Sequence, residues 1–344
     1  MTWNKKINPA SLSWLLEEEN PGVRYLALRD LLESSDADPE LIAAREKSHR
    51  DGPIAKILDA MKPEGYWVTP GAGYSCKYKS GVWSLIMLAQ LGASVEMDER
   101  LQLACRYLID HALAETGQFS TDRTPSGTID CLQGNLVSAL LDLGYQDNRM
   151  ELAIDWMVRS VTGDGIAPLT DKKATVHYFP WNCGPVFACR YNGSLPCAWG
   201  GTKVLLALGK IPSEKQTPQV ESAIETAVDF FLSIDPLKAD FPTRTGSKPS
   251  PDWWKFGFPV FYGTDILQLA EALVRVGLGD DPRLTNTLVY IRDKQDEKGQ
   301  WVLENDYKTW VRFGPLNQPN KWVTYRALKV LRNSVINQNT KNGQ

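Results

Sequence analysis

The feature that most constrains the fold is a glycine turn that recurs along the chain. The segments MKPEGYW (61–67), LAETGQF (113–119), VTGDGIA (161–167) and QDEKGQW (295–301) each place a glycine two residues before an apolar residue. The first three glycines, at positions 65, 117 and 165, are 52 and 48 residues apart. A period of this length indicates a structural unit that is repeated and buries its apolar surface against its neighbours.

Each turn lies between two segments of helical character. The segment before the turn is amphipathic, as in ERLQLACRYLIDHAL, and the segment after it is apolar nearly all round, as in CLQGNLVSALLDLG. A helix that is apolar on every side is a buried helix. With the opening pair SLSWLLEEE and VRYLALRDLLE, the chain contains six such pairs. This pattern predicts an all-α fold, an (α/α)6 toroid in which the buried helices form an inner ring; an open solenoid is the alternative.

The repeats predict a single domain over residues 1–336. Two longer interruptions, 164–196 and 235–259, are rich in Pro, Gly and aromatic residues. Insertions of this kind lie on one face of a repeat array and carry function. The polar segment 337–344 is predicted to be a disordered tail.

Composition and charge exclude several classes of function. The formal net charge is −3 and no run of Lys or Arg is present, which argues against nucleic-acid binding. No apolar run approaches the roughly 20 residues of a membrane span. The chain start lacks the apolar stretch of a signal peptide, so we expect a cytoplasmic protein. Six cysteines in that setting indicate reduced thiols or metal ligands instead of a disulfide framework.

The segment from Gln295 to Trp301 resembles the QW motif of squalene and oxidosqualene cyclases, Q-x3-G-x-W. The other three turns have the glycine of this motif but not both its glutamine and its tryptophan. The likeness covers nearly the whole chain and implies the toroid of the terpenoid cyclase and protein prenyltransferase superfamily. It also implies an enzyme that acts on an isoprenoid or other lipophilic substrate in a central cavity.

The resemblance is incomplete at the catalytic positions. Triterpene cyclases protonate their substrate with an aspartate of a D-x-D-D motif, which this chain lacks. Protein prenyltransferases hold zinc with an Asp and a Cys at the start of one inner helix and a His at the next. Here Asp130 and Cys131 are adjacent, without the intervening residue of the family, and the next inner helix begins LPCAWGG with Cys197 and no His. The family's zinc ligands therefore do not transfer directly, nor does the chain contain the partner subunit that supplies much of the diphosphate site.

Cysteines nevertheless cluster before or at the predicted starts of inner helices. Cys131, Cys183, Cys189 and Cys197 are separated by 51, 5 and 7 residues and are candidate ligands of Zn²⁺ or another thiophilic metal. Four thiolates predict a closed structural site, and three predict an open site that activates a ligand. The alternatives are apolar packing, an iron–sulfur cluster or a redox disulfide. His177 is a further candidate ligand.

Polar and aromatic residues near the inner-helix starts are the candidate site residues. Asp130 and Asp265 are predicted to act as acid or base, with helix capping the alternative for Asp130. The predicted substrate-binding residues are Trp83, Trp199, Trp254, Tyr262, Trp322 and Lys203, with core packing as the alternative for the tryptophans.

The aromatic, acid-poor rim favours a lipophilic small-molecule substrate. A sugar hydrolase needs two facing carboxylates at a defined separation. Two alternatives stay open from sequence: a non-catalytic ring that binds a lipid or protein partner, and an (α/α)6 hydrolase or lyase.

Overall fold

The computed structural model describes residues 8–167, 182–246 and 250–341, with side chains to residue 334. Within these ranges the chain is mostly helical. The helices are α1 (Pro9–Leu15), α2 (Pro21–Asp30), α3 (Pro39–Arg50), α4 (Pro53–Asp59), α5 (Gly81–Gln90), α6 (Glu99–Ala112), α7 (Asp130–Asp142), α8 (Arg149–Thr162), α9 (Ala198–Leu208), α10 (Pro218–Leu232), α11 (Ile266–Leu273), α12 (Thr285–Asp293) and α13 (Lys321–Lys341).

The glycine turns have the geometry that the sequence predicts. All four glycines have positive φ, between 70° and 99°, a region that side chains other than glycine rarely adopt. A Cβ on Gly117 would lie 2.3 Å from the carbonyl oxygen of Leu152, so this turn is also in close contact with the following repeat. The indoles of Trp67 and Trp301 donate to carbonyls ten residues earlier, each at 2.7 Å, and brace their turns in the same way.

The second helix of each pair is the buried one, as predicted. We call α2, α5, α7, α9, α11 and α13 the second helices. Each of α5, α7, α9 and α11 packs against the next in that order, and α13 packs against α2. The amphipathic helices α6, α8 and α10 pack against these second helices and turn their polar faces outward.

The insertion at 164–196 contains short strands, which an all-α prediction does not include. Strands β1 (Cys183–Gly184), β2 (Ala188–Cys189) and β3 (Leu195–Pro196) form an antiparallel sheet in that order. Cys183 pairs with Cys189, and Cys189 pairs with Leu195. The strands are too short to show an alternating pattern in sequence.

Residues 256–264, here called the central loop, lie between the second helices. Polar side chains of these helices form hydrogen bonds with the backbone of the loop. Gln90 of α5 accepts from the amide of Val260 at 2.8 Å and donates to its carbonyl at 2.7 Å. Asn135 of α7 donates to the carbonyl of Phe261 at 3.3 Å. Arg326 of α13 donates to the carbonyl of Gly257 at 2.6 Å. Polar side chains on otherwise apolar helices thus satisfy the backbone of a buried loop.

Helix α13 extends to Lys341 and so enters the segment predicted as a disordered tail; residues 342–344 lie outside the described residues. His177, the additional candidate ligand, also lies outside them. Among the described residues, no helix combines the length and the apolar character needed to cross a bilayer.

Candidate functional site

A chamber of about 580 Å³ opens between the starts of α7 and α9 and the ends of both insertions. We call it the apolar chamber because aromatic, aliphatic and cysteine side chains make most of its wall. Its aromatic members are Tyr74, Tyr191, Trp199, Phe241, Trp253 and Tyr262. Among the described residues, the only Asp, Glu, Lys or Arg on its wall are Asp130 and Lys77. An apolar pocket with few convergent polar groups is the usual form of a small-molecule site.

Two of the predicted substrate-binding residues, Trp199 and Tyr262, line this chamber. Their ring centroids are 6.2 Å apart. Both also line a smaller polar cavity of about 150 Å³ that contains Asp252 and Asn305. The two aromatic rings therefore stand between an apolar and a polar compartment.

The other three predicted tryptophans are packing residues that line neither compartment. Trp83 is buried behind Tyr74 and donates to its carbonyl at 2.9 Å. Trp322 stacks on Phe258 with centroids 4.8 Å apart. Trp254 donates to the carbonyl of Leu237 at 2.9 Å, and its neighbour Trp253 lines the chamber in its place. Sequence position did not distinguish these residues, because the direction of each side chain depends on the tertiary packing around it.

Lys203, predicted to bind substrate, is fully buried and does not line the apolar chamber. Its ammonium donates to the carbonyl of Gly263 at 3.1 Å and to the amide oxygen of Gln268. Burial lowers its pKa to about 7, and the nearby carboxylate of Asp265 partly offsets this effect. Its contacts fix the central loop to α9, so its observed position is structural.

Asp265 likewise makes the contacts of a structural ion pair. It is the N-cap of α11 and accepts from the amide of Gln268 at 2.7 Å. Both of its carboxylate oxygens accept from the guanidinium of Arg326 at 3.0 Å. Although burial opposes ionisation, Arg326 lowers the Asp265 pKa. A carboxylate held ionised by a bidentate partner has little capacity as a proton donor.

Asp130 is in the opposite electrostatic situation. It is the first residue of α7, where it makes no capping hydrogen bond, and only 5% of it is exposed. Its carboxyl group accepts from the thiol of Cys183, and its Oδ1 accepts a long hydrogen bond of 3.4 Å from Ser160. Its Oδ2 has no hydrogen-bond partner among the described residues that meets normal geometry. Burial, reinforced by the charge of Cys189, raises its pKa to about 8. The capping alternative is therefore wrong, and Asp130 is a protonated acid on the wall of an apolar chamber.

Three of the four predicted metal-ligand cysteines, Cys131, Cys189 and Cys197, line the apolar chamber. Cys183 is buried behind it, beside Asp130 and Trp156. The chamber wall thus brings three of the four candidate ligands together, whereas Cys76 is exposed and does not line the chamber. Cys105, inside α6, is a buried core residue.

The three chamber cysteines differ in their environments. The thiol of Cys197 and the backbone N–H groups of Asn192 and Tyr191 donate to the sulfur of Cys189, and they lower its pKa to about 6. The hydrogen bond to Cys189 and burial raise the pKa of Cys197. Burial raises the pKa of Cys131 to about 12. The pair Cys189 and Cys197 therefore shares hydrogen bonds that favour a negative charge on the Cys189 sulfur, whereas Cys131 stays a thiol at neutral pH.

Among the described residues, no group of three or more His, Cys, Asp or Glu side chains has an arrangement that can hold a metal ion. Zinc needs three or four ligands directed at one point, and Cys183 lies behind the chamber wall that carries the other three thiols. The predicted zinc site therefore stays a prediction, and we derive no chemistry through a metal.

Lys77 is the cationic residue on the described part of the chamber wall. Its ammonium lies 4.4 Å from the ring centroid of Tyr262 and 5.2 Å from that of Tyr74. Cation–π attraction of this kind holds the charge at the chamber wall. In the sequence, the segment YSCKYKSGVW places lysines close to aromatic residues, a pattern that indicates such a cation–π contact.

A second chamber of about 560 Å³ lies at the opposite ends of the second helices, and we call it the charged chamber. All six second helices contribute to its wall. Its cations are largely paired: Lys210 with Asp142, Lys329 with Asp30, and Arg332 with Glu33. Lys210 lies just past the carboxyl end of α9, where a positive charge interacts favourably with the helix dipole, and the ion pairs link neighbouring second helices.

The chain was also compared with known proteins. No protein-family model matches it and no curated protein matches it, so the chemistry of the site is argued from its own residues.

Proposed function

We propose that the six helix pairs close into an (α/α)6 ring and that the chain is an enzyme for an isoprenoid or other lipophilic substrate bound in the apolar chamber. Closure needs α2 to meet α5, in addition to the packing described above. In support, a Cβ on Gly92, just after α5, would lie 2.8 Å from Leu26 of α2. The charged chamber, whose wall draws on all six second helices, also supports closure.

The observation that carries the functional proposal is the composition of the chamber wall. Trp199, Tyr262, Trp253 and Phe241 offer faces to an apolar ligand, and apolar burial contributes about 25 cal/mol per Å². Asp130, the acidic residue of this wall, is kept neutral by burial and can therefore donate a proton to a bound ligand. A sugar hydrolase would need a second, facing carboxylate, and the described part of the chamber wall contains no acidic residue besides Asp130.

Asp130 has the requirements of a general acid. Within the described residues its Oδ2 has no partner to compete with substrate, and its pKa of about 8 leaves it protonated at neutral pH. Donation of this proton to a carbonyl or leaving oxygen of the substrate leaves a carboxylate on Asp130. General acid catalysis of this type accelerates reactions by about 10² to 10⁴.

A matched pair of tryptophan variants tests the ligand class. Binding of geranylgeraniol is measured by isothermal titration calorimetry, with maltohexaose as the sugar control. We expect Trp199→Ala, which removes a chamber wall, to weaken geranylgeraniol binding at least about tenfold. Trp254→Ala removes an equally large residue outside the chamber and should leave the affinity within about twofold.

Equal effects of the two variants, or binding of the sugar alone, would show that the chamber is not a lipid site. Catalysis is tested separately by gas chromatography of extracts after incubation with squalene, farnesol or geranylgeranyl diphosphate. A product that Asp130→Asn abolishes supports an enzyme. Binding without any product in either protein favours a non-catalytic ring.

A further inference from the structure

A single lysine carries the positive charge on the described part of the apolar chamber wall. The ammonium of Lys77 lies 4.4, 5.2 and 5.7 Å from the ring centroids of Tyr262, Tyr74 and Trp83. Its side chain forms no ion pair and no hydrogen bond with the described residues, including Asp130 on the same wall. Aromatic faces attract an ammonium ion but do not neutralise it, so a counter-charge has to come from outside the described wall.

The local structure fixes this lysine at the chamber. The indole of Trp83 donates to the carbonyl of Tyr74 at 2.9 Å. Tyr78, the residue after Lys77, stacks on Phe261 of the central loop with ring centroids 4.6 Å apart. These contacts hold the chain on both sides of Lys77, so less conformational freedom is lost when a ligand binds its ammonium.

The neighbouring lysines do not add to this charge. Lys79 lies against the ring of Trp310, 5.2 Å from its centroid, and does not line the chamber. Lys255 lines the smaller polar cavity and pairs with Asp252 at 3.2 Å. The described part of the apolar chamber wall therefore presents one unpaired positive charge.

We propose that the apolar chamber binds a long-chain carboxylic acid as its anion, with the hydrocarbon tail against the aromatic wall and the carboxylate paired with Lys77. This inference rests on the proposed function, because it assumes a lipophilic ligand in the chamber, and it adds the charge of that ligand. A carboxylate and an ammonium ion form charge-assisted hydrogen bonds, which are about twice as strong as hydrogen bonds between neutral groups.

One unpaired lysine discriminates between the head groups of lipids. An alcohol carries no charge and leaves the ammonium ion without a counter-charge. A diphosphate carries several negative charges, and sites for such groups use several cations or a metal ion. A quaternary ammonium group would be repelled by Lys77. A single carboxylate matches the single positive charge on the described part of the wall.

Three ligands with the same isoprenoid tail test the head group. Binding of geranylgeranoic acid, geranylgeraniol and geranylgeranyl diphosphate to the full chain is measured by isothermal titration calorimetry at about pH 7.5, where a carboxylic acid is ionised. We expect the acid to bind about 5- to 20-fold more tightly than the alcohol, and more tightly than the diphosphate. Raising the NaCl concentration from about 0.05 to 0.5 M should reduce the preference for the acid, because salt screens the ion pair.

A matched pair of lysine variants locates the charge. Lys77→Met should lower the affinity for the acid about 5- to 20-fold and leave the affinity for the alcohol within about twofold, which also shows that the chamber is intact. Lys79→Met removes a lysine two positions away that does not line the chamber, and it should change neither affinity by more than about twofold. Lys77→Arg keeps the charge and should keep most of the preference for the acid.

The outcomes distinguish this inference from the proposed function. Equal affinities for the acid and the alcohol, or equal losses of acid binding in Lys77→Met and Lys79→Met, would refute the carboxylate and leave the lipophilic site standing. Tighter binding of the diphosphate than of the acid would also overturn it. If Lys77→Met loses the alcohol as well, the salt dependence of the natural chain decides, and a preference that salt does not change refutes the ion pair. If neither the alcohol nor the acid binds, the proposed function is wrong, and this inference with it.

Discussion

Because Asp130 is neutral in the folded chain, the free energy of unfolding should depend on pH, and the substitution Asp130→Asn should remove this contribution. Burial raises the pKa of this carboxyl from 3.8 to about 8. Below about pH 4 the group is protonated in both the folded and the unfolded chain and contributes no pH dependence. Between about pH 4 and pH 8 the unfolded chain releases the proton and the folded chain keeps it, so stability falls as the pH rises.

The size of the effect follows from the same two pKa values. Each tenfold change in an ionisation constant is worth about 1.36 kcal/mol, so the free-energy cost of keeping the proton grows by about 3 kcal/mol between about pH 5 and pH 7.5. Asp130→Asn retains the shape and does not titrate. The stability of the variant relative to the natural chain should therefore increase by about 3 kcal/mol across this interval.

Urea unfolding followed by tryptophan fluorescence at about pH 5 and pH 7.5 measures this difference. Subtracting the two proteins cancels the titration of every other group. Asp240→Asn, at an exposed aspartate, is the control and should change stability by less than about 0.5 kcal/mol at either pH. A constant difference between Asp130→Asn and the natural chain would mean that Asp130 ionises normally, and its assignment as a neutral acid would be wrong.

Three further predictions test the thiolate, the buried ion pair and the repeat turn. The rate of Cys189 alkylation by iodoacetamide should rise with pH and reach half its maximum near a pH of about 6, as measured by peptide mass spectrometry. Replacing Arg326 by Met leaves its buried aspartate partner unpaired and should cost about 3 to 5 kcal/mol in urea unfolding; a loss below about 1 kcal/mol would contradict the ion-pair assignment. Gly117→Ala should destabilise the chain far more than Gly71→Ala, because both glycines have positive φ but a Cβ has no neighbour within 4 Å at Gly71; equal melting temperatures would refute the close contact.

The helix pairs could be predicted because their signals are local. The apolar segment that becomes α7 and the amphipathic segment that becomes α6 differ in periodicity, and Gly117 marks the turn between them. The start of α2 at Pro21 follows from the fixed φ of proline, which suits the first turn of a helix. These features depend on residues within a few positions of each other, so they are readable without the fold.

The assignment of site residues was less complete because side-chain direction is not local. Trp253 and Trp254 are adjacent in sequence, yet only Trp253 lines the apolar chamber. Asp130 and Asp265 are both buried aspartates near helix starts, and only the contact with Arg326, 61 residues away, makes Asp265 a structural anion. The missed chamber residues, Tyr74 and Phe241, belong to loops without a repeat pattern.

The sequence alone determined the repeat, the helix pairs and the gathering of cysteines near the starts of α7 and α9, since each follows from periodicity or from position in a repeat. Only the tertiary structure decided the ionisation of the site. Asp130 is neutral because it is buried, Asp265 is charged because Arg326 contacts it, and the pKa of Cys189 is lowered because the thiol of Cys197 and two backbone N–H groups donate to its sulfur. Charge state depends on which groups surround a side chain in space, and folding sets those distances.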